Sequence, residues 1–285
     1  MLIDVSVRTP KAFKQVCAYK PEKVYVPYDL FYTGRLKPED ITEAHNDHGC
    51  KIYLTLPRII RKKDKDYLDE LEGFLCLGKA DGVLVGSLDA LAYVKSISQK
   101  LEGEFISRNG EIKDHTPLFI DSDSFLYGFN RHSVDFISQY VSGQTASYEL
   151  SIYELSELED KRLIIPIYGY IPMMITANCV RKTSGNCKKS DISFDNGLVD
   201  RKNKTFPCIT NCIHCYNEIF NTVPLSYHKQ MYELIKAGFN EFRIDLTFED
   251  EKTIGKILDH YINDMRAGEF PIKEYTTGHI QKGAL

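Results

Sequence analysis

No apolar run in this 285-residue chain approaches the roughly 18 residues that a helix needs to cross a bilayer, so the sequence does not read as a membrane-spanning bundle. Neither sign of charge prevails: 36 Lys and Arg against 40 Asp and Glu leave a net −4. There is no global pull toward nucleic acid or an anionic membrane, and any basic surface must be local. No GxGxxG follows a strand pattern, which removes the best argument for a dinucleotide-binding open sheet. HExxH is missing and so is G-x-S-x-G, leaving no helical histidine pair for zinc and no nucleophile elbow. The opening MLIDVSVRTPKAF lacks the apolar centre of a signal peptide. The cytoplasm is therefore the expected compartment, where clustered cysteines favour metal binding over disulfides. Tryptophan is also absent, which excludes nothing.

What the chain has is a concentration of sulfur. Of eight cysteines, five lie between positions 179 and 215: Cys179, Cys187, Cys208, Cys212 and Cys215. The words CVRKTSGNC and CITNCIHC suit thiolate ligation of an iron–sulfur cluster or of zinc, with one thiol to spare over the roughly four that a cluster needs. His214, inside the second word, keeps a three-thiolate zinc site open as well. The other three, Cys17, Cys50 and Cys76, read as small buried apolar residues.

The rest of the sequence alternates. Short β-branched and aromatic runs occur at Ile3–Arg8, Lys23–Tyr28, Lys51–Leu56, Asp81–Gly86, Pro117–Ser122, Thr145–Leu150, Leu163–Tyr168 and Glu241–Leu246. They are nearly continuous in apolar residues (VYVPY, IYLTL, GVLVG, LIIPI), as strands of a parallel sheet covered by helices should be. Helical spacing fills the intervals at Thr9–Cys17, Ile41–His48, Asp66–Leu77, Leu91–Leu101, Ser133–Tyr140 and Ile152–Leu158, and again at Ser226–Ala237 and Glu251–Arg266. Eight strands with helical crossovers predict an α/β fold, a TIM-like (β/α)8 barrel spanning residues 1–285 as one domain. The cysteines occupy a long insertion at about 169–225, between the seventh and eighth strands, and a tail at about 267–285 is expected to pack back onto the barrel. Because loops after barrel strands lie on the C-terminal face, the sulfur group is expected over the barrel mouth.

Strand ends nominate further groups. Glu149 is expected to end the sixth strand and point into the mouth as a general acid or base, against a plain ion pair with a nearby cation. Asp121 and Asp123, near the end of the fifth, raise the same question. Arg243 and Asp245 alternate with Phe242 and Ile244, so both charges share one face of the eighth strand; if that face is the barrel interior, they form a buried ion pair or touch substrate, with Arg243 a catalytic candidate. Tyr168 and Tyr170 are candidates to line a substrate pocket. Between Cys179 and Cys208, seven basic residues (Arg181, Lys182, Lys188, Lys189, Arg201, Lys202, Lys204) face three acidic ones (Asp191, Asp195, Asp200). That basic rim suits a polyanion such as RNA, or is simply a solvated loop.

With these residues in view, the chain resembles the collagenase-like peptidase family U-32 over nearly its whole length. The likeness is carried by TASYELS at 145–151, YGYIPMM at 168–174, the pair Cys179 and Cys187, NCIHCYN at 211–217 and YTTGHIQKG at 275–283. It implies a barrel. It also implies one of two activities: the protease label that the family carries, with a protein substrate, or oxygen-independent hydroxylation of RNA or a small aromatic such as a quinone. For the second it implies a 4Fe-4S iron–sulfur cluster on Cys179, Cys187, Cys212 and Cys215, with Cys208 as the alternative third ligand. The segment DSDSFLYGFN departs from the family pattern, with Asp121 in place of a histidine and Tyr127 in place of an asparagine. A non-catalytic module with a structural metal is a third reading, and it would show a barrel mouth plugged by apolar side chains.

Overall fold

A computed structural model describes residues 1–109, 118–158, 162–185, 187, 192–263 and 270–283. Seven parallel strands come first: β1 (Leu2–Ser6), β2 (Lys23–Pro27), β3 (Lys51–Thr55), β4 (Gly82–Val85), β5 (Phe119–Ser122), β6 (Gly143–Thr145) and β7 (Leu163–Gly169). Four insertion strands follow, β8 (Pro172–Thr176), β9 (Ser193–Val199), β10 (Thr205–Asn211) and β11 (Tyr216–Phe220), then the short β12 (Leu225–Ser226) and β13 (Glu241–Asp245). β13 pairs in parallel with both β7 and β1, and β6 pairs with β7, so eight parallel strands close a barrel. The expected (β/α)8 architecture is what the chain adopts.

Local chemistry explains the elements. The first helix, Pro10–Cys17, starts where Thr9 Oγ1 accepts the Ala12 N–H at 3.2 Å and Pro10 fills a position that needs no donor. It buries Ala12, Phe13, Val16 and Cys17 against the barrel. β7 is buried at all seven positions, as a strand covered on both faces must be. Pro166 within it has no N–H to give, and the register with β13 slips there, between Arg243 and Ile244. At Gly169, φ is +141°, and a Cβ would meet the Asp245 Cβ at 2.6 Å, so glycine is what lets the two strand ends approach.

Several expectations move. The sixth strand is Gly143–Thr145, not Thr145–Leu150; Ala146–Leu150 is a turn that leads to the Ser151 cap of helix Ile152–Glu157. The helix expected at Ser226–Ala237 is Met231–Lys236, because Leu225 and Ser226 are taken by pairing with β7. The helix at Leu88–Asn109 is longer than the pattern suggested. The closing helix is Glu251–Leu258 continued by a π turn to Asn263, and its expected last residues lie outside the described ones. Cys76 is exposed rather than core: it follows Leu75 and falls off the stripe of Tyr67, Leu71 and Leu75 that its helix buries. The tail does return to the barrel, with Thr276 bonded to Ser226 and Ile280 buried. Among the described residues, no helix is long and apolar enough to cross a membrane.

The insertion lies where it was expected and has a structure of its own. It is a four-stranded antiparallel sheet in the order β8-β11-β10-β9. Ile209, Asn211, Tyr216 and Glu218 share one face and close a small space with Arg8, Pro27, Asp29 and Leu56, which follow or end β1, β2 and β3. Strand alternation puts Cys208, Thr210 and Asn217 on the opposite face. The sheet is a cover over one side of the barrel mouth.

Candidate active site at the barrel mouth

Inside the mouth, charge replaces apolar packing. Arg243, in the middle of β13, is 2% exposed and reaches across the barrel. Its Nε lies 3.0 Å from Asp245 Oδ1, Nη1 donates to Thr145 Oγ1 at 3.0 Å, and Nη2 donates to Asp123 Oδ1 at 3.0 Å. Tyr148 donates its hydroxyl proton to Asp245 Oδ2 at 3.0 Å. Burial alone would raise the Asp123 carboxyl, but the Arg243 guanidinium outweighs it and the group sits below its ordinary value. At Asp245 burial prevails over the same guanidinium, and the carboxyl is raised. Burial likewise lifts the Tyr148 phenol well above its ordinary range, keeping it a proton donor. This interior is not an apolar plug.

Above the network opens a cavity of about 370 Å³. Phe125, Tyr127, Ile171 and Met173 give it apolar walls; Glu149, His279, Asn221 and Tyr148 give it polar groups. Glu149 reaches it from the turn after β6 and not from a strand end, because the strand stops four residues earlier. The Glu149 carboxylate is exposed, and its N–H is held by Ser147 Oγ at 3.3 Å. His279 enters from the tail, its Nδ1 3.1 Å from the Gly283 carbonyl, which fixes the ring while Nε2 remains for other use.

Other nominated residues fall elsewhere. Asp121 is fully buried lower in the barrel, where Lys23 Nζ at 2.9 Å and the Tyr25 hydroxyl at 2.8 Å both reach Oδ2. It points inward one residue before the end of β5 and does not line the cavity. Tyr168 and Tyr170 line a different, more open cavity of about 410 Å³ beside Phe248 and Glu249. The Tyr168 hydroxyl donates to Glu249 Oε1 at 2.9 Å, and burial raises that carboxyl. Ser226 Oγ and His228 Nδ1 lie 2.9 Å apart, yet Ser226 has no exposed surface, so its hydroxyl cannot attack a substrate. Lys188, Lys189 and Asp191 of the basic rim lie outside the described residues.

The cysteines gather at the far face and tip of the covering sheet. Cys212 and Cys215 bracket the turn between β10 and β11, and Cys215 takes a left-handed φ of 56°. The end of β8 lies beside the start of β11, and Asn217 Nδ2 donates to the Asn178 carbonyl at 2.9 Å, which brings Cys179 to that turn. Cys212 feels burial first, which raises its thiol, then the Arg181 cation, which lowers it, and then the Cys179 and Cys187 thiols. Cys208 is raised to about 11, by burial and by Cys179 nearby. Cys208 is buried, Cys179 and Cys212 are partly exposed, and Cys187 and Cys215 are exposed. In ligand type this set fits a thiolate-bound metal. In side-chain placement, no group of three or more His, Cys, Asp or Glu converges on a metal position among the described residues. None of the cysteines of the insertion lines the Glu149 cavity. The sulfur expected over the open mouth stands on the outer side of the sheet that covers it.

His214 is turned away from the thiols. It is fully buried, with Nε2 3.2 Å from Asp29 Oδ1 and Nδ1 3.3 Å from Asp64 Oδ1, and it meets the Tyr67 ring edge-on at 4.5 Å. Both ring nitrogens face barrel carboxylates, so it does not complete a three-cysteine zinc site. Asp29 also accepts from Asn211 Nδ2 at 2.8 Å and from the Tyr67 hydroxyl at 2.9 Å. Arg61 bonds the His214 carbonyl and reaches the Cys215 carbonyl at 3.4 Å, and Arg8 meets Glu218 at 3.2 Å. The sequence contains no signal for these clasps, since the sheet residues lie 150 (His214 and Asp64) to 210 (Glu218 and Arg8) residues from their barrel partners.

No protein-family model matches the chain, and no curated protein matches it. Solved structures do. D-psicose 3-epimerase from Clostridium cellulolyticum H10, solved with D-tagatose, aligns with a TM-score of 0.37 at 9% identity, over 58% of this chain and 84% of its own. A xylose isomerase-like TIM barrel/4-hydroxyphenylpyruvate dioxygenase fusion protein aligns at 0.40 and 11% identity, over 91% of this chain and 43% of its own. Likeness this distant says nothing of chemistry, and the barrel rests on its own strand closure.

Proposed function

We propose that the chain is a barrel enzyme that modifies a small aromatic group, such as a base of RNA, in the cavity lined by Glu149 and His279. The observation that supports this reading is the pairing of apolar walls with two solvent-accessible acid–base groups above a buried guanidinium network. Phe125, Tyr127 and Met173 offer faces for a planar ring to stack on. Glu149 accepts a proton or hydrogen bond from a ring N–H or hydroxyl, His279 supplies or removes a proton opposite, and Asn221 reads a polar edge. Arg243 does not meet the substrate. It holds Asp123 and Asp245 and, through Asp245, fixes the Tyr148 phenol at the cavity wall.

The resemblance to the U-32 family adds a thiolate-bound iron–sulfur cluster on Cys179, Cys187, Cys212 and Cys215, with zinc as the alternative metal. A cluster there, when bound, supplies electron transfer. The chain provides the thiols, the Arg181 cation beside Cys212, and exposed Lys182, Arg201, Lys202 and Lys204 to meet a phosphate backbone.

The test is a nucleoside profile of RNA from cells with and without this chain. Deletion removes one modified nucleoside; wild-type chain restores it, and Glu149→Gln, which lowers the rate by about 10²–10⁴-fold as loss of a general acid or base does, fails to. Unchanged profiles in all three would sink the RNA reading. In parallel, anaerobically purified protein is assayed for iron, sulfide and zinc. Cys212→Ser loses the metal while the barrel stays folded, and metal content unchanged by that substitution refutes the ligand set.

A further inference from the structure

Two cysteines far from the insertion are in contact. Cys17 ends the helix Pro10–Cys17, and Cys50 directly precedes β3, after the left-handed Gly49. The Cys50 thiol donates to the Cys17 carbonyl at 3.5 Å. Both side chains are buried, at 2% and 1% exposure, yet a cleft of about 150 Å³ bounded by Phe13, Lys14, Asp40 and His48 opens onto Cys17. That is room for a water-sized molecule and too little for a peptide.

We propose that Cys17 and Cys50 are a hydroperoxide-sensitive dithiol that closes to a disulfide, stapling the first helix to the entry of β3. With the Cys50 sulfur 3.5 Å from the Cys17 carbonyl, side-chain rotation brings the two sulfurs toward the roughly 2.05 Å of a bond. The cleft brings the hydroperoxide to the pair at Cys17. One thiolate cleaves the O–O bond, giving a sulfenic acid and, with one proton, water (the alcohol, if an alkyl hydroperoxide). The second thiol then attacks that sulfur and expels a second water. Two thiols are oxidised and one hydroperoxide is reduced, with no further reagent.

The experiment treats the intact native protein with hydrogen peroxide, alkylates remaining thiols after denaturation, and maps the peptides. Expected is a peptide pair joined through Cys17 and Cys50, two hydrogens lighter than its parts and released by dithiothreitol. Cys17→Ser leaves no joined pair. Cys17 and Cys50 both recovered alkylated, in a sample whose exposed Cys76 is oxidised, overturns the proposal, and so does either one joined to a cysteine of the insertion. The wild-type map decides even if the variant does not fold.

Discussion

In the barrel, β7 and β4 are buried along their whole length, and the packing around them is aliphatic: Val24, Val26, Ile52, Leu54, Val83 and Val85 have no exposed surface. The covering sheet differs. Leu198 and Val199 of β9 and Met173 and Met174 of β8 are exposed, while its fully buried positions include Thr210 and Asn217, with Glu218 at 3%. The barrel coheres because water is excluded from a continuous apolar surface. The sheet is attached by a few directional clasps from its hairpin to the barrel rim: Asn211 and His214 to Asp29, Glu218 to Arg8. Two attachments of different physics should fail separately.

The barrel also has one place where it depends on charge, and disrupting it should have the largest effect. Arg243→Met leaves Asp123 and Asp245 buried without their cation, and breaking such a pair from one side costs about 3–5 kcal/mol. Denaturant unfolding should show a midpoint lowered accordingly at unchanged slope. A loss under about 1 kcal/mol would mean that water reaches the network and solvates the carboxylates.

Asp29→Ala should act on the sheet instead. It strands Asn211, Tyr67 and His214, each unsatisfied buried polar group costing about 1–3 kcal/mol. Amide exchange should accelerate across β10 and β11 while β2, β3 and β7 remain protected. Acceleration spread evenly over both regions would show that sheet and barrel unfold as one unit, and the contrast drawn above would be wrong.

The same contrast governs what could be read beforehand. Runs such as LIIPI announce parallel strands because burial on both faces demands apolar residues at every position. The insertion strands SFDNGLV, TFPCITN and YNEIF alternate polar with apolar and carry Pro, Gly and Asn, so their pattern resembles loop. Glu149 was legible as a group for the mouth, although through a turn and not a strand end. That Tyr148 and His279 join it was not, since His279 arrives from 130 residues further along a tail with no periodicity of its own. His214 shows the limit most clearly. Its neighbours in sequence are Cys212 and Cys215, while its partners in space are Asp29 and Asp64.

The smallest expected effect lies where the tail, β12 and the closing helix meet. His228 stacks on Phe270 at 4.1 Å and lies within 6.2 Å of His260, and Ser226 Oγ holds its Nδ1. Burial, then the charges of His260 and Lys229, lower the ring from 6.5 to about 4. The unfolded chain therefore takes up this proton first as pH falls. The contribution of a neutral His228 is complete above about 6.5, erodes between there and about 4, and falls no further below that, where both states are protonated. The ring is only partly buried, so solvent screening keeps the loss small. Wild type and His228→Gln, unfolded in parallel from pH 7 to 4, should therefore diverge gently, the variant losing less stability over that window. Parallel curves would mean that the ring is as free to protonate in the fold as outside it. The acid sensitivity would then belong to groups the two proteins share, such as the Arg243 network, whose carboxylate Asp123 is held below its ordinary value and so loses its stabilising charge as acid is added.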